Sequence, residues 1–182
     1  MKYDIILADP PWQFKVWNKD TGQGRSAEKH YSTMTIEDIC NLDVPAADNA
    51  VLFLWATFPV LQEAFKVIEV WGFEYKTQAW GWVKSNPTGF GHFMGMGYYT
   101  RANIEPCLLC TKGKPGRPVD KGILSIIYAP VLKHSRKPDD QYRKIEALYP
   151  GKNYLELFAR RKQPGWHSWG NEIESDVEIG EK

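Results

Sequence analysis

Asp9-Pro10-Pro11-Trp12 follows directly on the apolar run Ile5-Ile6-Leu7-Ala8. A strand that delivers an acid, two prolines and an aromatic at its carboxyl end is an unusual construction. The prolines have fixed φ and no N–H, so they end the ladder, stiffen the turn and leave carbonyl oxygens without a local partner. The acid adds further acceptors, and Trp12 adds a flat face. Such a set suits a flat heterocycle with an exocyclic amino group: a nucleobase stacked on the ring, its N–H groups facing the oxygens. The plainer reading of the same residues is that Pro-Pro ends a strand and Trp12 caps the core.

The first reading carries a reaction class. The 6-amino group of adenine is a poor nucleophile because its lone pair is delocalised into the ring. With Asp9 accepting one N–H and the Pro10 carbonyl the other, the nitrogen is drawn toward tetrahedral geometry. A methyl-sulfonium donor on the far side can then be attacked in line, by positioning and charge placement. No strong base is needed, because the nitrogen becomes acidic only after it has gained the methyl group.

The elements that must position these residues are legible from periodicity. Strands are expected at 3–8, 50–55, 74–84, 103–111, 123–128, 153–158 and near 169–173. Thr35 reads as the cap of a helix, with Glu37 and Asp38 in its first turn. Apolar residues from Pro59 to Trp71 recur at helical spacing and Gly72 stops them; a further helix runs from Lys137 to about Leu148. Alternating strands and helices predict an α/β fold, a mostly parallel sheet with helices on both faces and ligands at the carboxyl ends of its strands. Residues 85–104, rich in glycine and aromatics, read as a long functional loop. One domain spanning 1–182 is expected, without internal repeats.

The ordered series of motifs resembles a known family. Asp9-Pro10-Pro11-Trp12 is similar to the signature of amino-methyltransferases that modify adenine. Further landmarks are Tyr31-Ser32-Thr33-Met34, Leu52-Phe53-Leu54-Trp55, Trp80-Gly81-Trp82-Val83-Lys84, Glu105-Pro106-Cys107-Leu108, Arg136-Lys137-Pro138-Asp139, Glu156-Leu157-Phe158-Ala159-Arg160 and Gly165-Trp166-His167-Ser168-Trp169-Gly170-Asn171-Glu172. Together they resemble the family typified by the catalytic subunit of the eukaryotic messenger-RNA adenosine methyltransferase, with its bacterial and phage relatives.

The resemblance implies a Rossmann-like fold dependent on S-adenosylmethionine, in permuted motif order: the donor element follows the Asp-Pro-Pro-Trp strand and contains no glycine. It implies catalytic roles for Asp9, Pro10, Pro11 and Trp12, and donor contacts from Asp9, Lys137, Glu156, Phe158, Arg160, Asn171 and Glu172. Lys137 would pair with the donor carboxylate, and Arg160 and Asn171 would bond the ribose hydroxyls. Trp12 and Tyr31 would flank the target base. Loop 85–104 would close over nucleic acid, with Lys84 and Arg101 at its ends and Glu105 shaping its base. The family often holds the donor's adenine with residues before the first strand; here that end is expected to be held by the carboxyl-terminal segment or less tightly. Methylation of adenine in nucleic acid is implied, DNA favoured over RNA. The alternatives are an RNA enzyme or an inactive nucleic-acid-binding scaffold; cytosine methylation would more often show Ser and Tyr in place of Asp9 and Trp12.

Composition sets the remaining bounds. A net charge of +1 excludes a wholesale polyanion binder, yet Lys112, Lys114, Arg117, Lys121, Lys133, Arg136 and Lys137 cluster along the chain. Such runs are usually solvated loops; beside a base-sized site they would track phosphates. Cys107 and Cys110 have a chelating spacing, but on a strand they face opposite sides, so they read as small buried hydrophobes. No metal site is expected. No apolar run approaches the roughly 20 residues of a membrane helix, and with a strand beginning at once no signal peptide is expected, so cytoplasmic residence follows. Eight tryptophans and nine tyrosines leave room for an aromatic surface that joins a homodimer or a partner subunit.

Overall fold

The computed structural model describes residues 1–13, 33–97, 99–132 and 136–182. Seven strands form one sheet: β1 (Tyr3–Ala8), β2 (Ala46–Trp55), β3 (Glu74–Ser85), β4 (Ile104–Lys112), β5 (Ile126–Pro130), β6 (Tyr154–Leu157) and β7 (Trp166–Trp169), in the order β5-β3-β4-β2-β1-β6-β7. All pairings are parallel except those of β4, which runs against both β2 and β3. The carboxyl ends of six strands and the amino end of β4 therefore share one edge. That edge carries Asp9 after β1, Glu105 in β4, and Phe158 to Arg160 after β6.

The continuous apolar runs are strands because both of their faces are covered. Ile6, Leu52, Leu54, Leu108 and Cys110 pack on one side with Ile39 and Cys40 of α1 (Ile36–Asn41) and Ala64, Val67 and Ile68 of α2 (Leu61–Val70). Ile5, Leu7, Phe53, Trp55, Trp80, Trp82 and Cys107 pack on the other with Tyr142 and Ile145 of α3 (Asp140–Leu148). Cys107 and Cys110 thus lie on opposite faces, both buried and free, as strand alternation requires.

Local signals account for the helix ends. Thr35 caps α1 in a reciprocal box, accepting from the Asp38 N–H while Asp38 accepts from the Thr35 N–H. After α2, Gly72 takes φ 79° and Phe73 N–H returns to the Ile68 carbonyl at 2.9 Å, closing the last turn.

Four readings are refined. The fifth strand is at 126–130 rather than 123–128, and the last at 166–169 rather than 169–173; Ile123 and Leu124 follow a Gly-containing turn and lack a ladder partner until β3 is reached. The α2 region opens with a 3₁₀ turn, Phe58–Val60, because Pro59 suits a first turn and not a helix interior. The basic stretch lies far from Asp9: Lys112 ends the reversed strand β4 at the opposite edge, and the loop behind it bonds there through Val119 N–H to the Leu148 carbonyl at the end of α3. Lys112, Lys114, Arg117 and Lys121 are therefore not beside the candidate site, and Lys133 lies outside the described residues. Among the described residues, no helix is long and apolar enough to cross a membrane.

Candidate active site at the strand ends

At the end of β1 the two prolines behave as their chemistry predicts, with one difference. Neither carbonyl is left without a partner: Pro10 accepts the Trp12 N–H at 2.8 Å and Pro11 accepts the Met34 N–H at 3.0 Å. Each oxygen keeps a second lone pair. The turn they fix aims Asp9 along the sheet edge.

Trp12 departs from the expectation of a stacking face. It is 4% exposed, packs in the core and donates its indole N–H to the Trp55 carbonyl at 3.0 Å. A buried indole needs an acceptor, and the end of β2 supplies one. The plainer reading, a cap on the core, describes its side chain. The other expected flanking aromatic, Tyr31, lies outside the described residues.

A chain of alternating charges runs from Asp9 across the edge. Lys137 Nζ donates to both Asp9 oxygens, at 2.8 and 2.9 Å, and lies 3.3 Å from Glu105 Oε2. Lys84 pairs with the other Glu105 oxygen at 2.5 Å. The Lys137 ammonium also sits 5.5 Å from the centre of the Trp55 ring. Burial disfavours the charge on Lys137, but Asp9 and Glu105 outweigh it and hold the ammonium above the usual lysine range. Burial likewise opposes ionisation of Glu105, and Lys137 and Lys84 reverse that, leaving its carboxyl below the ordinary value. Glu105 Oε2 is buried, and among the described residues it has no hydrogen-bond donor of good geometry, Lys137 Nζ lying 3.3 Å away.

The opposite wall is built by β6 and α3. Tyr142 donates its hydroxyl to both Glu156 oxygens at 3.0 Å. Burial pushes the Glu156 carboxyl up to about 7 despite that hydrogen bond and nearby Arg161. Beyond β6, Phe158 has φ 62°, a left-handed conformation that costs a side-chain-bearing residue about 1–2 kcal/mol. The strain is held in place by Ala159 N–H bonding the Trp169 carbonyl at 2.9 Å, with Gly170 packed so close that a Cβ there would lie 2.1 Å from the Ala159 oxygen. The turn thus has its glycine, but on the neighbouring strand's loop.

Between these walls lies a cavity of about 470 Å³, into which Asp9, Lys137, Glu156, Phe158, Arg160 and Glu172 all face. The structure so unites six of the residues expected to hold the donor. Asn171 is exposed in the turn before Glu172 and outside the cavity wall; Arg160 pairs with Glu172 at 3.5 Å. Lys84 and Glu105 join through the charge chain, whereas Arg101 is exposed in the β3–β4 loop.

Sequence reading missed Trp55, Gln141, Tyr142, Arg136 and Arg161, which also line the cavity. Trp55 donates its indole N–H to Gln141 at 2.7 Å, and Arg136 and Arg161 both pair with Asp139. Their signal was positional: Trp55 ends the strand beside β1, and Gln141 and Tyr142 open the helix that follows Lys137.

The donor set fits S-adenosylmethionine. Lys137 and Arg136 offer cations to a carboxylate, Asp9 and Glu156 offer acids to an ammonium or hydroxyls, and Phe158 offers an apolar face. The volume falls within the roughly 300–1,000 Å³ of small-molecule sites. Among the described residues no group of His, Cys, Asp and Glu gathers as metal ligands.

Comparison with known proteins identifies the family. A family profile described as MT-A70 matches residues 3–172. The chain is 34% identical to the type II methyltransferase M.MunI of a Mycoplasma species, over 98% of this chain and 81% of that protein. It is 32% identical to the N(6)-adenosine-methyltransferase catalytic subunit METTL3 of Homo sapiens and 33% identical to an MT-A70-like N(6)-adenosine-methyltransferase of Drosophila melanogaster. Those two alignments cover 95% of this chain but only 28% and 27% of the longer proteins.

Proposed function

The chain belongs to the MT-A70 family, and on that premise we propose that it methylates the 6-amino group of adenine in DNA, with S-adenosylmethionine as donor. Its class as an adenine amino-methyltransferase follows from the family and from relatives named as N(6)-adenosine-methyltransferases. We favour DNA because a relative of comparable length, 81% of which the chain covers, is named a type II methyltransferase. The observation that carries the reading is the single cavity into which Asp9, Lys137, Glu156, Phe158, Arg160 and Glu172 face.

When bound, S-adenosylmethionine supplies an electrophilic methyl group. Lys137 and Arg136 would hold its carboxylate, Glu156 and Arg160 its hydroxyls, and Glu172 the outer end. Asp9 accepts one N–H of the target amine, and the free lone pair of the Pro10 carbonyl accepts the other. Lys137 keeps the Asp9 carboxylate fixed in direction, so its alignment is set before the amine arrives. Trp12 contributes by locking the turn rather than by stacking. The buried, free cysteines are compatible with a cytoplasmic setting.

Labelled S-adenosylmethionine is offered with duplex DNA, single-stranded DNA and RNA in parallel, and products are digested to nucleosides. Methylated adenine in DNA is expected, falling about a thousandfold in Asp9→Ala while donor binding persists. Methylation of RNA alone would replace the polymer; donor binding without transfer to any would point to a missing subunit or an inactive scaffold.

A further inference from the structure

We propose that the β3–β4 loop, residues 86–103, is a wedge that enters a DNA duplex and turns an adenine out of the stack toward Asp9. The inference rests on the DNA reading above and adds the form of the substrate.

Its tip is apolar and outside the core. Phe90 is 83% exposed, Met94 75% and Met96 59%, and Tyr99 is fully exposed. Scattered exposed hydrophobics need no explanation, but four within ten residues form a patch. Unlike a floppy loop, this one is built as a blade. Asn86 N–H bonds the Gly91 carbonyl at 3.2 Å, the Asn86 side chain bonds the Phe90 carbonyl at 3.0 Å, and Gly89 N–H bonds Asn86 at 2.8 Å. Phe90 therefore stands on a tight, internally bonded turn. Further along, the two arms pack backbone to backbone: a Cβ on Gly95 would lie 2.0 Å from the Ala102 oxygen, and one on Gly97 2.0 Å from the Thr100 oxygen. Glycine at both positions keeps the blade two backbones thick.

Charge points to a polyanion as occupant. Residues 86–103 contain Arg101 and His92 but no acid. The root of the blade is Lys84 and Glu105, one ion pair from Lys137 and two from Asp9. Asp9 lies within the cavity wall, so an adenine amine inside a stacked duplex cannot reach it. The base must leave the stack, and apolar side chains inserted at a base step are the means by which proteins open one.

The test compares wild type, Phe90→Ala and Tyr99→Ala on sheared genomic duplex DNA and on the same DNA heat-denatured. Both side chains are exposed, so the substitutions leave the core intact, which circular dichroism checks. The duplex rate is expected to fall about tenfold or more in each variant, with the denatured-DNA rate kept within about twofold. Equal loss on both forms, loss on neither, or a wild type active only on denatured DNA overturns the wedge. A Phe90→Ala protein with unaltered duplex preference but a changed mass in light scattering assigns the patch to a protein partner and also overturns it. If wild type methylates neither form, the DNA reading itself fails and the wedge falls with it.

Discussion

The edge where β1, β6 and α3 meet, proposed above to hold the donor, is buried and cross-linked, whereas the loop between β3 and β4, proposed to meet the nucleic acid, is exposed and tied down mainly at its root. Lys137 alone reaches two acids and a tryptophan, and Tyr142 clamps both oxygens of Glu156. In the loop, hydrogen bonds run within the loop itself and to its flanking strands, with one from the Tyr128 hydroxyl of β5 to the Gly91 carbonyl. The contrast matches what each side is proposed to hold. A small donor of fixed shape rewards groups aligned in advance. A polymer must be admitted and released, which draws on segments with little buried surface.

The contrast can be broken most forcibly at Lys137. Lys137→Ala leaves Glu105 buried beside Lys84 and Asp9 without its cation, and should cost about 3–5 kcal/mol in urea denaturation, with loss of activity. Adding Glu105→Leu should recover much of the stability and none of the activity.

Glu156 provides a pH signature on the same side. Its carboxyl is raised to about 7, against 4.5 for the ordinary group. Between those values the unfolded chain releases the proton that the folded chain keeps, so stability falls as pH rises from 4.5 to 7 and is level above. The loss attributable to this group is at most about 3 kcal/mol. Denaturation of Glu156→Gln across the same range should lack that slope; an identical slope would remove Glu156 as its source.

Gly170→Ala should force the strained Phe158–Ala159 turn to move, at about 1–3 kcal/mol, and weaken donor binding about tenfold in a titration. An unchanged dissociation constant would detach that turn from the donor. The smallest effect is expected at the opposite edge: Lys114→Ala should change stability by no more than about 0.5 kcal/mol and activity on DNA by less than about twofold. A larger drop in activity would mean that phosphates reach the far edge.

Much of this was readable in the chain because it depends on local order. Continuous apolar runs marked the buried strands, Thr35 and Gly72 marked helix ends, and the run from Ala8 to Trp12 marked the edge that carries the site. What escaped depended on direction. Strands alternating with helices implied that loops after strands open at the site, and reversal of β4 sends Lys112 and the basic loop to the other edge. Trp12 was legible as an aromatic after a stiff turn, but its indole N–H could meet a base or a carbonyl, and spacing cannot choose. The Asp9–Lys137 pair spans 128 residues, a separation no periodicity reports. Phe158 in a left-handed turn hid the donor loop from any glycine-based search.

The reversal of β4 has a consequence for how such proteins diversify. Because β3 and β4 form a local hairpin, everything between Ser85 and Ile104 leaves and re-enters the sheet on adjacent strands at one edge. The segment can lengthen, shorten or be exchanged wholesale without rethreading the sheet or touching Asp9. If the loop reads the target as proposed, target choice and methyl transfer are separately heritable, and a loop grafted from a relative at these two residues would carry its preference with it.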